Sequence, residues 1–282
     1  MKVIVLASQK GGVGKTTTSA NIGACLASGG ARVGMIDLEL QGQLGVSLGA
    51  FARKPQDIGS AVLDYIDAVD AGDLDSMAPL QSRMIDRSIL LKEFDAPGTL
   101  SVIGSVMNVT DRARAEVAKR GWEAVSSLRE LLMTVQDEFD FIIVDTPPSA
   151  DALSSVALAA GDYVIAVCNP RLATADGARV VRNNVEKVPE RTGGKCQPIF
   201  LGTVVNEAQP PSKRTDEADA VDDYLLKHQL KAFSKEIRTS PQISASYGIS
   251  RPIVIDEPSY AASGWYELLT DEIIDRVKDL AA

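Results

Sequence analysis

The stretch that decides the fold lies near the amino terminus and reads Gln9-Lys10-Gly11-Gly12-Val13-Gly14-Lys15-Thr16-Thr17. An apolar run over residues 2–8 precedes it, and a helical pattern begins near Thr16. Glycines between a strand and a helix let successive backbone N–H groups point at one anion, and the start of the helix adds the positive end of its dipole. The sequence therefore predicts a phosphate-binding loop. In such a loop Lys15 reaches the β- and γ-phosphates of a nucleotide, and the Thr16 hydroxyl binds Mg²⁺.

Short apolar runs alternate with longer amphipathic ones along the rest of the chain. Strands are predicted at Lys2–Ser8, Arg32–Asp37, Thr99–Ile103, Phe141–Asp145, Tyr163–Cys168, Ile199–Asn206, Ala232–Ile237 and Pro252–Ile255. Helices are predicted to begin near Thr16, Ile58, Thr110, Asp151, Thr174, Asp216, Pro241 and Tyr260. Several strands are apolar throughout, which is typical of strands that helices cover on both faces. We therefore expect one α/β domain over residues 1–282, a P-loop NTPase domain with a mostly parallel twisted sheet and helices on both faces.

Composition and charge exclude several classes of protein. The chain has 282 residues, of which 45% are hydrophobic and 24% charged, so it has the composition of a folded globular protein rather than a disordered one. Acidic residues outnumber basic ones 38 to 29, which disfavours nucleic-acid binding over the whole surface but permits a local basic patch. Its three cysteines are far apart, which excludes a disulfide framework and a cysteine-rich metal site. No apolar run approaches the ~20 residues that a membrane-spanning helix needs, so we expect a cytoplasmic protein.

Two strand ends carry candidate metal ligands. Asp37 and Asp145 each end an apolar strand, and in parallel α/β sheets ligands bind at the edge formed by these carboxyl ends. Mg²⁺ prefers oxygen ligands and keeps several waters, so one hydroxyl and one or two carboxylates suffice. Together with Thr16, these aspartates are the predicted metal site.

Three segments resemble one family. The run Lys10 to Thr17 resembles the deviant Walker A box of the ParA/MinD family of P-loop ATPases, with Lys10 at the position of its signature lysine. Residues 36–43, Ile36-Asp37-Leu38-Glu39-Leu40-Gln41-Gly42-Gln43, resemble the family's switch I segment. Residues 141–149, Phe141-Ile142-Ile143-Val144-Asp145-Thr146-Pro147-Pro148-Ser149, resemble its Walker B and switch II segment. The likeness extends over most of the chain.

The resemblance implies a nucleotide site and its chemistry. It implies that ATP and Mg²⁺ bind, with slow hydrolysis of ATP to ADP and phosphate, and that Lys10 crosses the interface of an ATP-bound homodimer. The implied catalytic residues are Lys10, Lys15, Asp37 and Glu39, and the implied nucleotide-binding residues are Lys10, Gly11, Gly12, Val13, Gly14, Lys15, Thr16, Thr17, Asn206 and Pro241. Glu39 stands where the family has an aspartate, and a displacement of one bond length can cost ~10²-fold in rate. Nucleotide binding is therefore a firmer prediction than fast hydrolysis.

The base and a DNA surface are predicted in the carboxyl-terminal half. Asn206 ends a strand with an amide that can both donate to and accept from adenine, and Pro241 is placed on the other side of the base. Residues 171–251 hold 13 basic and 10 acidic residues, a net charge of +3, whereas the remaining 201 residues carry −12. The resemblance implies non-specific DNA binding by the dimer in this region. The candidate contacts are Lys213, Arg214, Lys231, Lys235 and Arg238.

Three functions remain open on the sequence. The first is a ParA-like positioning ATPase, located on the nucleoid, whose ATP dimer binds DNA and whose hydrolysis a ParB-like or adaptor protein stimulates. We expect no amino-terminal helix-turn-helix, because the first strand begins at Lys2. The second is a MinD-like membrane regulator, which is disfavoured because the last helix, Tyr260–Leu280, has an acidic outer face and no membrane contact is expected. The third is a recruitment switch that hardly hydrolyses ATP, which Glu39 keeps open.

Overall fold

The computed structural model describes residues 1–92, 96–148 and 151–281 of the chain. Within these ranges the strands are β1 (Lys2–Ala7), β2 (Arg32–Asp37), β3 (Ile85–Asp86), β4 (Thr99–Ile103), β5 (Phe141–Asp145), β6 (Tyr163–Cys168), β7 (Ile199–Ala208) and β8 (Ile237–Arg238). They form one sheet in the order β3-β4-β2-β5-β1-β6-β7-β8, in which β3 pairs antiparallel with β4 and the other neighbours are parallel. The predicted α/β class with a mostly parallel sheet is confirmed.

The helices connect these strands. They are α1 (Lys15–Ser28), α2 (Gln43–Ser47), α3 (Ile58–Ala71), α4 (Ile89–Lys92), α5 (Met107–Arg120), α6 (Trp122–Val125), α7 (Ser127–Met133), α8 (Ala152–Ala160), α9 (Leu172–Arg191), α10 (Asp216–Lys227), α11 (Pro241–Gly248), α12 (Ile253–Asp256) and α13 (Ala261–Ala281). Three of these helices begin with a residue type that is preferred at helix N-termini. The side chains of Asp57, Asp151 and Thr215 each accept a hydrogen bond from a backbone N–H of the first turn that follows, at α3, α8 and α10.

Two hydrophobic cores lie on opposite faces of the sheet. Alternate residues of β1 point to opposite sides, so Val3 and Val5 pack in one core while Ile4 and Leu6 pack in the other. Helices α3, α5, α7, α8, α9 and α10 cover the first face, and α1, α12 and α13 cover the second. Burial on both faces is the reason that the central strands are apolar throughout.

The parallel register brings two acidic strand ends together. Asp37 at the end of β2 pairs in register with Asp145 at the end of β5, and Leu6 near the end of β1 also pairs with Asp145. The phosphate-binding loop follows β1 directly, so the sheet places it beside both carboxylates. The family resemblance at switch II ends with Ser149, which lies outside the described residues.

The strand predicted at Pro252–Ile255 is wrong, because this apolar segment forms the single helical turn α12. Pro252 precedes the turn with φ −57°, and the Val254 backbone N–H donates to Asn21 Oδ1 at 3.2 Å, so the segment satisfies its amide without a sheet partner. Ile253, Val254 and Ile255 are all buried. A short apolar run does not by itself distinguish a buried strand from a buried turn.

Two smaller differences concern the edges of the fold. In the predicted strand Ala232–Ile237, Ala232 forms an isolated bridge with Thr203 and only Ile237 joins β8, because Lys231 has a left-handed φ of 47° and the Ser234 N–H and hydroxyl donate to Glu272. The sequence pattern did not indicate the two-residue edge strand β3. In α13, Leu269, Ile273 and Val277 are buried, whereas Leu268 is exposed.

Candidate phosphate-binding site

The loop between β1 and α1 requires its glycines. Gly12 and Gly14 have φ of 74° and 75°, in the left-handed region that residues with a Cβ rarely adopt. At Gly14 there is a second reason, because an added Cβ would lie 2.7 Å from Asn206 Nδ2. The loop therefore forms a tight turn before α1, in which backbone N–H groups without bulky side chains around them can bind phosphate oxygens.

Asp145 is the centre of the buried polar network below the loop. Lys15 Nζ lies 2.9 Å from Asp145 Oδ1, and the Thr16 hydroxyl donates to Oδ2 at 2.6 Å. Ser19 also donates its hydroxyl to Oδ1 at 2.9 Å. Asp145 is 0% exposed and Lys15 is 5% exposed, so each charge depends on the other for compensation. The structure thus joins three residues predicted from the sequence, Lys15, Thr16 and Asp145, with Ser19, which was not predicted.

Asp37 uses both of its carboxylate oxygens to hold the chain that follows β2. The Glu39 N–H donates to Oδ1 at 3.1 Å, and the Gly45 N–H, in α2, donates to Oδ2 at 3.0 Å. Burial, followed by the neighbouring charge of Asp145, raises the pKa of Asp37 above its usual range. This geometry makes Asp37 an organiser of the switch I segment, with its oxygens committed to backbone amides.

Glu39 is half-buried at the edge of the same site. Burial raises the pKa of the Glu39 carboxyl, while the positive charge of Lys15 opposes that rise. The charges of Lys15 and Asp145 both act on this pKa, so Glu39 shares their electrostatic environment. Glu39 lines the same cavity as the phosphate loop.

An open cavity of about 410 Å³ lies over the loop. It is lined by residues of the phosphate loop and of the switch segments, namely Ser8, Lys10, Gly11, Gly12, Val13, Gly14, Lys15, Thr16, Thr17, Glu39, Gln41, Gln43 and Pro148, and by Glu207 from β7. Lys10 is exposed at its rim and forms no ion pair with any residue that the structure describes. The two lysines of the motif therefore differ: Lys15 is buried on a carboxylate, and Lys10 is free to meet another charge.

Asn206 and Pro241 do not line this cavity in the described part of the chain. Asn206 is buried, and its Nδ2 donates to the Val13 carbonyl at 2.9 Å and to Thr18 Oγ1 at 2.8 Å. Its Oδ1 is buried without a hydrogen-bond partner, so the amide can offer an acceptor but no free donor. Pro241 is exposed at the first position of α11. The contact of either residue with a base stays a prediction.

The predicted DNA-contacting residues fall into two groups. Arg214 forms ion pairs with Asp219, Asp222 and Glu236, and the hydrogen bond to Asp219 contributes most to raising the pKa of its guanidinium. By contrast, Lys213 and Lys231 are exposed and Lys235 is half-buried, and none of the three forms an ion pair within the described ranges. Arg238 lies over the Trp265 ring, with its guanidinium carbon 5.9 Å from the centroid. The charge of Arg214 is thus already compensated inside the chain.

Two members of the site were missed in the sequence. Ser19 lies one helical turn after Lys15, so counting four residues along the inner face of α1 finds it. Glu207 follows Asn206 at the strand end, and its carboxylate resembles an ordinary surface group until the structure places it at the cavity. The signal that could have indicated Glu207 is its position near the carboxyl end of a strand, which it shares with Asn206.

Comparisons with known proteins show the family to which the chain belongs. A family model described as an AAA domain matches residues 1–197. The chain is 32% identical over 273 residues to the sporulation initiation inhibitor protein Soj of Bacillus subtilis (strain 168), a match that covers 96% of this chain and 98% of that protein. The chain belongs to the ParA/MinD family of P-loop ATPases.

Solved structures share the fold of this ParA/MinD-family chain. A variant of Cyanothece McdA in complex with ATP superposes with a TM-score of 0.78 at 20% identity, covering 99% of this chain and 96% of that one. The septum site-determining protein MinD of Pyrococcus horikoshii OT3, complexed with Mg-ADP, gives a TM-score of 0.69 at 20% identity, covering 100% and 98%. At these identities the likeness establishes the common architecture.

No helix in residues 1–92, 96–148 or 151–281 of this ParA/MinD-family chain has the length and apolar character that crossing a membrane requires.

Proposed function

We propose that this chain is an ATPase of the positioning type, whose ATP-bound homodimer binds DNA non-specifically and segregates DNA or another intracellular cargo. The observation that carries the proposal is that the two lysines of the loop differ in burial and in ion pairing. Lys15 is buried on Asp145, whereas Lys10 is exposed at the cavity rim without an ion pair among the described residues. A phosphate loop that already contains its own cation has no local need for a second one.

The residues of the cavity fit a magnesium nucleotide. Thr16 Oγ1 and Asp145 Oδ2 lie 2.6 Å apart, close to the ~3 Å that separates adjacent oxygens in an octahedral Mg²⁺ shell. No group of three or more His, Cys, Asp or Glu in the described ranges could hold a metal by itself, which suits an ion that takes most of its ligands from phosphates and water. Thr16 and Asp145 would hold the metal, which neutralises phosphate charge when bound. Asp37 would act on it through the backbone that it orders.

Lys10 is the residue that we assign to the dimer. In a dimer that brings two nucleotide cavities together, an exposed cation at the rim of one cavity reaches the phosphates in the other. Preorganised positive charge near transferring phosphates stabilises the charge that develops in the reaction. ATP then favours the dimer because its terminal phosphate supplies the anion that Lys10 meets.

Glu39 and a partner protein control hydrolysis in this proposal. Glu39 stands at the cavity edge, where it can position the attacking water, but its side chain is one methylene longer than the aspartate of the family pattern. We therefore propose slow basal turnover and a long-lived ATP dimer. A ParB-like or adaptor protein would stimulate hydrolysis by moving switch I, and the protein would act in the cytoplasm on the nucleoid, without a membrane contact.

We place the DNA-binding surface on basic residues that form no ion pair with another described residue. Lys213, Lys231, Lys235 and Arg238 supply charge that DNA phosphates can meet, and dimerisation doubles the set. Affinity should fall steeply with salt, because each phosphate contact releases counterions. Arg214 is not part of this set, because three carboxylates already neutralise it.

The experiment compares the mass of the wild-type protein without nucleotide, with ADP and with ATP by light scattering, and repeats it with Lys10→Ala. We expect a dimer with ATP alone, which Lys10→Ala abolishes while it retains ATP binding. Lys195→Ala, which removes an exposed lysine far along the chain, is the matched control and should dimerise like the wild type.

Three results would contradict the proposal. An ATP dimer of Lys10→Ala as stable as that of the wild type removes Lys10 from the interface. Equal DNA binding with ADP and ATP removes the nucleotide control, and ATP-dependent pelleting with anionic liposomes in place of DNA binding favours a MinD-like regulator.

A second candidate function is a nucleotide-dependent recruitment switch. The departure at Glu39 favours it, because a misplaced carboxylate preserves binding and dimerisation while it suppresses hydrolysis. Full dimerisation with ATP, together with no turnover in the presence of any stimulating partner, would select this alternative.

A further inference from the structure

The end of β7 has an unusual backbone at a residue that the phosphate site does not explain. Glu207 has a φ of 57°, in the left-handed region that a residue with a side chain rarely adopts. The register between β7 and β8 shifts between Asn206 and Ala208, so Glu207 is the residue that the bulge displaces. Bulges redirect side chains and often lie beside functional sites. The strained position therefore raises the question of what the Glu207 side chain faces.

Glu207 faces the same cavity as the phosphate loop, from the opposite side to the acidic switch segments. In the sheet order, β2 and β5 lie on one side of β1 and carry Asp37 and Asp145. Strand β7 lies on the other side, beyond β6. The metal end and the Glu207 end of the cavity are therefore separated by the phosphate loop itself. A nucleotide with its phosphates on the loop and its metal towards Asp145 extends its sugar and base towards β7.

The Glu207 carboxylate is held by a hydrogen-bonded neighbour. Asn169 Nδ2 donates to Glu207 Oε2 at 3.3 Å, and Asn169 Oδ1 accepts from the Thr174 hydroxyl at 2.7 Å. Asn169 is buried whereas Glu207 is exposed, so Asn169 anchors one oxygen of a carboxylate that lines the cavity. The other oxygen, Oε1, has no hydrogen bond to any residue that the structure describes, and it remains available to a ligand.

The chemistry of a carboxylate limits what it can bind at this place. It accepts hydrogen bonds and repels phosphate, so its partner must be an uncharged part of the nucleotide that donates. The 2′- and 3′-hydroxyls of ribose are two such donors on adjacent carbons. An acidic residue on a strand end binds ribose hydroxyls in this way in dinucleotide-binding sheets.

We propose that Glu207, positioned by Asn169, forms a ribose subsite that binds the 2′- and 3′-hydroxyls of the nucleotide. The inference rests on the proposed nucleotide binding and adds to it a selectivity for ribonucleotides over deoxyribonucleotides. The bulge is then explained, because an unbulged strand would not turn the Glu207 side chain to the cavity.

The test measures dissociation constants by calorimetry for ADP, 2′-deoxyADP and 3′-deoxyADP in the presence of Mg²⁺, since the diphosphates avoid turnover. We expect the wild type to bind ADP ~10-fold more tightly than either deoxy analogue, the size of one hydrogen bond to a charged group. In Glu207→Gln the ratio should fall to within about 2-fold. Glu190→Gln, an exposed glutamate on α9, is the control and should keep the full ratio.

A second variant separates the subsite from folding. Glu207→Gly removes the side chain at a φ that glycine adopts freely, so it should be at least as stable as the wild type and still lose the discrimination. Asn169→Ala should lose part of it, because the carboxylate is no longer positioned.

Other outcomes would overturn either the ribose subsite or the proposed nucleotide binding, and the two can be told apart. Equal affinity of the wild type for ADP and both deoxy analogues overturns the ribose subsite and leaves nucleotide binding intact, as does an unchanged ratio in Glu207→Gln. A Glu207→Gln effect on inosine diphosphate relative to ADP, without an effect on the deoxy analogues, would assign the carboxylate to the base and overturn the subsite. Failure of the wild type to bind ADP at all overturns the proposed function itself.

Discussion

The two sides of the sheet around β1 treat charge in opposite ways. On the side of β2 and β5, Lys15, Asp145 and Asp37 are buried, and each depends on partners that the fold fixes. On the side of β7 and β8, the charges are at the surface, where Arg214 is paired with carboxylates that are 67%, 54% and 29% exposed. A buried charge must be compensated by the protein, whereas a surface charge can be compensated by water, by a neighbour or by a ligand.

The difference indicates which side tolerates change. Removing one member of the buried network leaves a buried charge without its counter-charge, so stability and binding should fall together. Removing one surface cation alters a small, salt-screened interaction. The following predictions test this contrast, beginning with the largest expected effect.

Lys15→Ala should lose nucleotide binding and destabilise the fold. Asp145 would then be buried with hydroxyl donors but without its cation, and breaking a buried ion pair costs about 3–5 kcal/mol. Urea unfolding followed by circular dichroism measures the loss of unfolding free energy. The double variant Lys15→Met/Asp145→Asn removes both charges and should recover most of the stability without recovering nucleotide binding. A loss below about 1 kcal/mol in Lys15→Ala would mean that Asp145 finds another partner and that the two sides do not differ as described.

The same contrast explains how much could be predicted from the sequence. The glycines of the loop, Lys15, Thr16 and the two strand-end aspartates were predictable, because close phosphate approach and buried charge allow few residue types and few positions. Arg214 and the strand at Pro252–Ile255 were not. The pairing of Arg214 depends on which acidic side chains of α10 and of the segment before β8 come near it. A short apolar run such as residues 252–255 can be buried as a strand or as a turn. Glu207 was missed because a one-residue bulge leaves no mark in hydrophobic periodicity.

Glu39→Ala tests the edge of the buried side, where a functional carboxylate is half-exposed. If Glu39 positions the attacking water, single-turnover hydrolysis should fall ~10²-fold, as expected for loss of a positioned acid–base group. ATP affinity should stay within about 3-fold, because Lys15 and the loop amides hold the phosphates. Gln41→Ala removes a neutral side chain from the same cavity and should keep the hydrolysis rate. An unchanged rate in Glu39→Ala would transfer the role to Asp37 or Asp145.

The smallest expected effects lie on the β7–β8 side, where paired and unpaired cations can be compared directly. For the ATP-bound protein, the slope of log affinity for DNA against log salt reports the number of phosphate contacts, at about 0.9 per contact. Lys213→Ala/Lys235→Ala should lower that slope by about 3.6, because the ATP dimer then lacks four lysines that can meet phosphate. Arg214→Ala should leave the slope unchanged and lower the unfolding free energy by about 1 kcal/mol or less, since its ion pairs are largely exposed to solvent. A fall in slope with Arg214→Ala as large as that with the lysine pair would show that Arg214 exchanges its carboxylates for DNA. The surface pairing would then be a state of the free protein that the ligand replaces, whereas Asp145 keeps the Thr16 and Ser19 hydroxyls as partners that the fold provides.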